Sequence, residues 1–308
     1  MFQTRIVPFG ADAVAEAAAL IAHGVPVAVP TETVYGLAAD AWSAPAVAAI
    51  YAAKGRPSFN PLIVHVPDLA AAQAVAQLDE AALALAARFW PGPLTLVAPC
   101  HDPRIASLVT AGLPTIAVRV PAHRAMQALL AATGRPLAAP SANASGAISP
   151  TRAAHVLASL DGRIPMILDD GPTPTGLEST IVLTGAVPRL LRPGPITADA
   201  ITAVLGMPLE AAPGGIIAPG QLASHYAPAK PLRLNAIDAA ADEWLIGFGG
   251  VVGDDTLSAG GDLVEAAARL FDALHRADAS DRARIAVAPV PGHGLGAAIN
   301  DRLARAAH

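Results

Sequence analysis

The chain has 308 residues, which exceeds the usual size of a single domain and predicts one large domain plus a smaller one. Its formal net charge of −5 at pH 7 argues against a protein that coats nucleic acid, because such proteins neutralise many phosphates. No apolar run reaches the roughly 18 residues of a membrane span and the N-terminus lacks a signal-peptide pattern, so we expect a soluble, cytoplasmic protein.

Helices and strands alternate over the first two thirds of the chain, which predicts one layered α/β domain over residues 1–206. Apolar periodicity predicts helices near 12–23, 45–54, 79–89 and 122–132. Short apolar runs predict strands near 25–29, 62–66, 94–98, 115–120, 136–139, 165–168 and 180–183. A polar loop is expected from Pro30, directly after the first of these strands.

A second unit follows a linker. Residues 207–230 are rich in glycine, proline and alanine and show neither helical nor strand periodicity, which predicts the linker. A compact α/β unit is predicted over residues 231–308, with strands near 231–234, 244–248 and 285–288 and helices near 262–276 and 294–306. One face of the longer helix is expected in the core, with Leu263, Leu270, Phe271 and Leu274.

Polar residues follow the first buried strand in the segment PTETVYGL at 30–37. Open α/β sheets bind their ligands at the ends of strands, so Glu32 and Thr33 could hold a small polar substrate. The alternative is that the threonines only cap a turn or a helix start.

The next loop, KGRPSFNPL, carries two cations and an amide, Lys54, Arg56 and Asn60. Arginine offers a planar fork and lysine a compact charge, so the pair suits a phosphate. The alternative is solvated charge at a helix C-terminus, which would favour the helix dipole. Lysine occurs only twice in the chain, and this scarcity favours a specific role for Lys54.

The segment PSANASG at 140–146 leads into Ser149 and Pro150, which predicts a helix with Ser149 as its N-cap. The N–H groups at such a helix start could bind an anion, with Ser141 and Asn143 beside them. Capping and turn chemistry without a ligand is the alternative.

Three further side chains lie on apolar segments or at their ends. Arg119 and Arg192 each end an apolar segment, so two more guanidinium groups are expected at the same mouth. His65 lies on the strand after the cationic loop, where it is either a satisfied core residue or a ligand contact.

The common phosphate and catalytic motifs are missing from the sequence: GxxxxGK[ST], a strand-associated GxGxxG, HExxH and GxSxG. Asp169 and Asp170 precede Gly-Pro and are typical of a turn more than of a metal site. The single cysteine, Cys100, excludes an intrachain disulfide and a cysteine-based zinc site. Any Mg²⁺ is expected to arrive on a nucleotide, held mostly by phosphates and water.

Together the segments resemble the threonylcarbamoyl-AMP synthase family, of the YrdC-like fold, in its longer two-domain form. Seven segments occur in the family's order and approximate spacing: PTETVYGL, KGRPSFNPLIVHV, FWPGPLTLV, PTIAVRVP, PSANASGAISPT, ESTIV and LLRPGPIT. SHYAP at 224–228 resembles the family's linker motif. The chain departs from the pattern at Ala38, where glycine is usual, and in lacking the basic residues often found before the linker's His-Tyr.

The resemblance implies an α/β fold, a YrdC-like twisted mixed sheet with flanking helices, plus a smaller C-terminal Rossmann-like α/β domain. It also implies an L-threonylcarbamoyladenylate synthase, a nucleotidyltransferase. Such enzymes combine L-threonine, bicarbonate or CO₂, and ATP into threonylcarbamoyl-AMP and pyrophosphate. A separate transferase then moves the threonylcarbamoyl group to adenosine in tRNA. Mg²⁺ is expected with the ATP, without a tightly bound organic cofactor, and direct tRNA binding is not expected.

Site residues are implied by the same resemblance. Threonine would be contacted by Thr33, His65, Arg119 and Ser179. The ATP site would comprise Lys54, Arg56, Asn60, Thr115, Ser141, Asn143, Ser149 and Arg192, with Tyr226 closing over the nucleotide. Lys54 and Arg56 would carry the catalysis by stabilising charge at phosphorus, and the linker 207–230 would act as a lid.

Two other functions stay open at this point. A carbamoyl-transfer enzyme of hydrogenase maturation shares the fold, although it carries zinc-finger and acylphosphatase modules that this sequence lacks. A double-stranded RNA-binding module is conceivable because a concave basic mouth accepts phosphates, although the net charge opposes it.

Overall fold

The computed structural model describes residues 2–57, 60–211, 218 and 225–308, which form two β-sheets with flanking helices. The first sheet contains β1 (Arg5–Pro8), β2 (Val27–Pro30), β3 (Tyr35–Asp40), β4 (Ile63–His65), β5 (Leu94–Pro99), β6 (Thr115–Arg119), β7 (Leu137–Ala138), β8 (Met166–Asp169), β9 (Thr180–Leu183), β10 (Arg189–Arg192) and β11 (Glu210–Ala211). Its helices are α1 (Ala11–Ala22), α2 (Ala44–Lys54), α3 (Leu69–Val75), α4 (Glu80–Phe89), α5 (Ser107–Thr110), α6 (Arg124–Thr133), α7 (Ala153–Leu160) and α8 (Ala198–Leu205).

This sheet is mixed and covered on both faces. The strand order is β1-β8-β2-β3-β7-β4-β6-β5-β9-β10-β11, with β4 parallel and β5 antiparallel to β6. Alternate residues of β3 enter opposite cores, as the two-residue period of a strand requires. Leu37 shares a cluster with Ile50 of α2, whereas Ala38 shares one with Leu129 of α6. Two-sided burial therefore explains why β2 and β3 are buried throughout.

The second sheet is smaller and parallel. It contains β12 (Leu232–Arg233), β13 (Glu243–Gly247), β14 (Asp255–Thr256) and β15 (Arg284–Val287), and its helices are α9 (Leu263–Ala279) and α10 (Leu295–Ala306). The order is β12-β15-β13-β14 with parallel pairing throughout. Leu270, Phe271 and Leu274 of α9 are buried and Leu263 packs against their cluster, which confirms the predicted core face.

The two units share a core. Val34, Ile148 and Leu177 of the first unit belong to the same buried cluster as Phe271 of α9 and Tyr226. The predicted domain boundary at residue 206 stays a prediction, and much of the predicted linker, residues 212–217 and 219–224, lies outside the described residues. Within the described residues, no helix is both long and apolar enough to cross a membrane.

One predicted helix start is wrong. The helix after PSANASG begins at Ala153 with Arg152 as its N-cap residue, three residues later than expected. Ser149 and Pro150 lie in a segment without regular structure instead, and Pro150 O accepts a hydrogen bond from Tyr35 N at 2.8 Å. The loop after β2 is also shorter than predicted, since β3 begins at Tyr35.

Candidate active site

A polar cavity lies where the ends of the first sheet's strands meet the second unit. Eight of the predicted site residues line it: Thr33, Arg56, His65, Arg119, Ser141, Ser179, Arg192 and Tyr226. Five others do not line it: Lys54, Asn60, Thr115, Asn143 and Ser149. The structure also places Thr31, Glu178 and His225 in the wall.

The turn between β2 and β3 is held by one hydroxyl. Thr31 Oγ1 accepts from Thr33 N at 3.1 Å and donates to Val34 O at 2.7 Å. The Thr31 and Thr33 hydroxyls are 2.8 Å apart, so with the Thr31 proton on Val34 O, Thr33 is the donor between them. Thr31 therefore has the turn role that sequence reasoning left open, and Thr33 Oγ1 faces Arg119.

Arg119 is buried and held on three sides. Its Nε donates to Gly92 O at 3.1 Å, its Nη1 to Thr33 Oγ1 at 3.0 Å and its Nη2 to Glu32 Oε1 at 2.6 Å. The other carboxylate oxygen of Glu32 accepts from Ala122 N at 3.2 Å. A guanidinium has five N–H groups, so two of those on Arg119 remain for a ligand.

His65 is a neutral histidine in the cavity wall. It is buried on β4 next to Arg119, to which it is paired in register. Burial, helped by the charge of Arg119, lowers the pKa of His65 to about 3. Its Nδ1 is buried without a hydrogen-bond partner, so the ring can exchange a hydrogen bond with a polar ligand.

Arg56 and Arg192 bring two buried cations to the cavity. Burial lowers the pKa of Arg56 to about 10 and also lowers the pKa of Arg192, yet Arg56 stays charged at neutral pH. Arg56 Nη2 donates to Pro61 O, whereas its buried Nε has no partner. Arg192 donates from Nε to Ser179 O at 3.0 Å and from Nη2 to Ser179 Oγ at 3.2 Å.

Lys54 lies behind the cavity wall. It is the last residue of α2, which begins with Ser43 accepting from Ala46 N and ends at the left-handed Gly55. Its ammonium donates to the carbonyl oxygens of Ser141 and Asn143, and only 2% of the residue is exposed. The alternative of a solvated surface charge is therefore wrong. Burial, and then the charge of Arg56, lowers the pKa of Lys54.

The remaining predicted residues have separate positions. Asn60 and Asn143 are buried, and the side-chain oxygen of each lacks a partner. Ser149 donates its hydroxyl to Glu178 Oε1 rather than capping a helix. Thr115 begins β6, at the opposite end from Arg119, but alternation puts both on one face of the sheet.

Unpartnered polar atoms concentrate at this site. Four of them belong to residues that line the cavity: Arg56 Nε, His65 Nδ1, His225 Nδ1 and Tyr226 OH. Two more, Asn60 Oδ1 and Asn143 Oδ1, belong to predicted site residues outside its lining. Native proteins pair most of their buried polar groups, so such a concentration is typical of a site that binds a polar ligand.

The C-terminal end of the linker closes the cavity through His225 and Tyr226. The Tyr226 ring lies 4.1 Å from the His225 ring and 5.6 Å from that of Phe271, between ring centroids. Ala227 N donates to Gly146 O at 2.8 Å, which ties this end of the linker to the PSANASG loop. Residues 212–217 and 219–224 of the proposed lid lie outside the described residues, whereas Ala218 shares a buried cluster with Ile63 of β4.

The donor set of the cavity does not suit a protein-held metal ion. Glu32 is paired with Arg119, and Glu178 with Arg302. Asp170 is paired with Arg124, and Asp169 accepts from the Tyr35 hydroxyl, in agreement with a structural turn. The described residues contain no group of three or more metal-ligating side chains.

Sequence reasoning missed Glu178, His225 and the arginine that pairs with Glu178. Glu178 and His225 lie inside two segments that resemble the family, ESTIV and SHYAP. Their position next to the predicted site residues Ser179 and Tyr226 was the signal that could have identified them. Arg302 is 124 residues from Glu178, and no local spacing connects them.

Two family models match the chain. The Sua5/YciO/YrdC model, described as "Telomere recombination", matches residues 19–194. The Sua5 C-terminal model, described as "Threonylcarbamoyl-AMP synthase, C-terminal domain", matches residues 196–308.

Similar proteins cover nearly the whole chain. The threonylcarbamoyl-AMP synthase of Bacillus subtilis is 43% identical, covering 96% of this chain and 92% of the relative. That of Pyrococcus abyssi is 40% identical, covering 94% and 92%. The crystal structure of P. abyssi Sua5 complexed with L-threonine matches with a TM-score of 0.90 at 36% identity, covering 99% of this chain and 97% of that one. The predicted fold is thus confirmed, and the chain belongs to the Sua5/YciO/YrdC family, in the form that carries the threonylcarbamoyl-AMP synthase C-terminal domain.

Proposed function

We propose that this chain is an L-threonylcarbamoyladenylate synthase, which makes threonylcarbamoyl-AMP and pyrophosphate from L-threonine, bicarbonate or CO₂, and ATP. The observation that carries the proposal is one cavity that combines two buried arginines, Arg56 and Arg192, with a separate polar set around Arg119. Full-length relatives named threonylcarbamoyl-AMP synthase support it. The product would pass to a transferase that modifies adenosine in tRNA, a cytoplasmic role.

Threonine would bind beside Arg119. The two remaining N–H groups of this arginine suit the threonine carboxylate, and Thr33 and Ser179 offer hydroxyls for its side chain. His65 is neutral, so it accepts or donates one hydrogen bond without adding charge. The L-threonine complex of the P. abyssi protein supports a threonine site in this fold.

ATP would place its phosphates against Arg56 and Arg192. Lys54 would act through the PSANASG loop, since its ammonium holds two carbonyls there and so fixes Ser141 in the wall. Thr115 lies on the same face of β6 as Arg119 and would contact the nucleotide. Mg²⁺ is proposed only on the ATP phosphates, where it would neutralise charge, because Glu178, the carboxylate in the cavity lining, is paired with Arg302.

The reaction then has two bond-forming steps. The amine nitrogen of threonine bonds to the carbon of CO₂ or bicarbonate, with loss of a proton or of hydroxide and a proton, and gives a carbamate. A carbamate oxygen bonds to the α-phosphorus of ATP while the bond to the pyrophosphate oxygen breaks. Negative charge grows on the phosphoryl oxygens, and Arg56 and Arg192 stabilise it because they are already fixed in a site of low polarity.

The test is pyrophosphate release from ATP by the purified chain, with and without L-threonine and bicarbonate, and with serine as the control amino acid. We expect release that needs both co-substrates and prefers threonine. Pyrophosphate release that depends on neither threonine nor bicarbonate would refute the proposal. The carbamoyl-transfer and RNA-binding functions would then have to be tested.

A further inference from the structure

Arg302 is a buried arginine that the second unit inserts beside the cavity. It lies on α10, and none of its surface is exposed. Its Nε donates to Glu178 Oε2 at 2.8 Å, and its guanidinium lies 5.3 Å from the centroid of the Tyr226 ring. Full burial of an arginine is rare and is tolerated when the charge is paired. Arg302 also pairs with Asp301 on its own helix.

Its partner Glu178 stands in the cavity wall and is charged. One oxygen accepts from Arg302 and the other from the Ser149 hydroxyl. Burial alone would raise the pKa of Glu178, but Arg302, Arg192 and the Ser149 hydrogen bond outweigh it, and the pKa is lowered. The titratable groups that face Glu178 are Arg302, Arg192, His225 and Tyr226.

Arg192 and Glu178 interact electrostatically without forming an ion pair. Arg192 is held by Ser179 through two N–H groups, which leaves three for an anion. If Arg302 were absent, Arg192 would be the cation left to compensate Glu178, and the carboxylate would compete with a substrate phosphate.

We infer that Arg302 is a positioning residue: it holds the Glu178 carboxylate on the side of the second unit and so leaves Arg192 available to the ATP phosphates. This inference rests on the proposed function. It gives the C-terminal unit a defined part in the active site, because an arginine of that unit balances a charge of the catalytic cavity.

The test compares the ATP dissociation constants of the full-length wild type and Arg302→Met by titration calorimetry between about pH 5.5 and pH 8. At the alkaline end we expect at least about tenfold weaker ATP binding by the variant, since a buried charge has lost its partner. The deficit should shrink as the pH falls, because without Arg302 burial raises the pKa of Glu178, and the protonated carboxyl no longer competes for Arg192. His225 stays neutral in this range, since burial lowers its pKa to about 3. Arg302→Lys, which keeps the charge, should restore most of the affinity.

A matched control is Arg152→Met, because Arg152 Nε also pairs across the two units, with Asp272 Oδ1 at 2.8 Å, but at the surface. It should bind ATP as the wild type does at each pH. An equal loss in both variants, or a loss in Arg302→Met that is independent of pH, would overturn the inference in favour of a general docking role.

If Arg302→Met does not fold, the test uses the double variant Glu178→Gln with Arg302→Met, because this variant leaves no unpaired buried charge. Its ATP affinity should not depend on pH over this range, beyond any change in the wild type. An affinity that still falls with rising pH would overturn the inference. A wild type that binds ATP but releases no pyrophosphate refutes the proposed reaction alone, whereas a wild type that binds no ATP refutes both.

Discussion

Three cations, Lys54, Arg56 and Arg192, are buried at this site at a cost in solvation. Burial lowers the pKa of each, and mutual repulsion adds to the effect: Arg56 acts on Lys54, and Arg192 acts on Arg56. A fold tolerates such a cluster when an anion relieves the repulsion. The cavity is therefore organised for a polyanion before any ligand arrives, as electrostatic preorganisation requires.

Arg56→Ala should keep the fold and lower the rate of threonine-dependent pyrophosphate release at least about a hundredfold, comparable to losing one charge-stabilising donor. Its Nε is a buried donor without a protein partner, so the fold does not depend on that hydrogen bond. Steady-state pyrophosphate assays at saturating ATP measure the effect. Arg88→Ala is the control, because Arg88 is exposed and packs only over the Phe89 ring. Near-normal turnover by Arg56→Ala would remove Arg56 from the mechanism.

The sequence predicted most of the cavity's polar residues but not their connections. Thr33, Arg56 and Arg119 were found because each stands at the end of a strand or helix, and such ends meet in an α/β sheet. The roles of Glu178 and Ser149 depend on Arg302, a contact across more than a hundred residues. Hydrophobic periodicity and local spacing carry no information on such a pair.

At the scale of elements, the packing of α9 against the segment before Glu178 depends on Gly176. Its φ is +73°, and a Cβ there would lie 2.5 Å from the carbonyl oxygens of Ala267 and Ala268. Gly134, the C-cap of α6, also has a positive φ, +60°, but a Cβ there would meet open space. Alanine substitution at Gly134 therefore introduces backbone strain alone, whereas substitution at Gly176 introduces both backbone strain and steric overlap.

Gly176→Ala should therefore lose more stability than Gly134→Ala. Each change costs about 1–2 kcal/mol for a left-handed alanine. Overlap with α9 adds about 1–3 kcal/mol at position 176 alone. Urea unfolding gives both free energies. Because Glu178 follows two residues later, Gly176→Ala should also weaken ATP binding, and equal stabilities of the two variants would contradict the close packing.

Elements with a clear period were predicted well, and the exceptions have local causes. β3 was missed because Tyr35–Asp40, YGLAAD, contains small residues and no alternation, which reflects burial on both faces. The helix start was misplaced because Ser149-Pro150 has the local chemistry of an N-terminus. Tertiary hydrogen bonds from Tyr35 to Pro150 and from Ser149 to Glu178 prevailed over that preference.

At the scale of the whole molecule, two buried histidines, His65 and His225, line the cavity, and a partly buried one, His275, lies between the two units. Burial, assisted by neighbouring positive charge, lowers the pKa of His65 and of His225 to about 3 and that of His275 to about 4. His275 of α9 stacks on His155 of α7 with ring centroids 3.8 Å apart and contacts Ser149 O through Nε2 at 3.1 Å. His275 thus contributes to the contact between the two units.

Acid should therefore destabilise the chain in a defined window. The ordinary histidine pKa is 6.5, so below it the unfolded state takes up protons that these three folded-state rings refuse until about pH 3 to 4. Where the unfolded state binds more protons than the folded state, the free energy of unfolding decreases as the pH falls. The decrease is about 1.4 kcal/mol per pH unit for each histidine, or about 4 kcal/mol per pH unit for all three. The loss should be seen between about pH 6 and pH 4.5 in urea unfolding of the full chain. His275→Gln should reduce the slope by about a third, whereas His293→Gln, at an exposed position, should leave it unchanged. If His275→Gln does not alter the slope of unfolding free energy against pH, the protons are taken up at other groups. The three histidines would then not be the cause of the acid sensitivity.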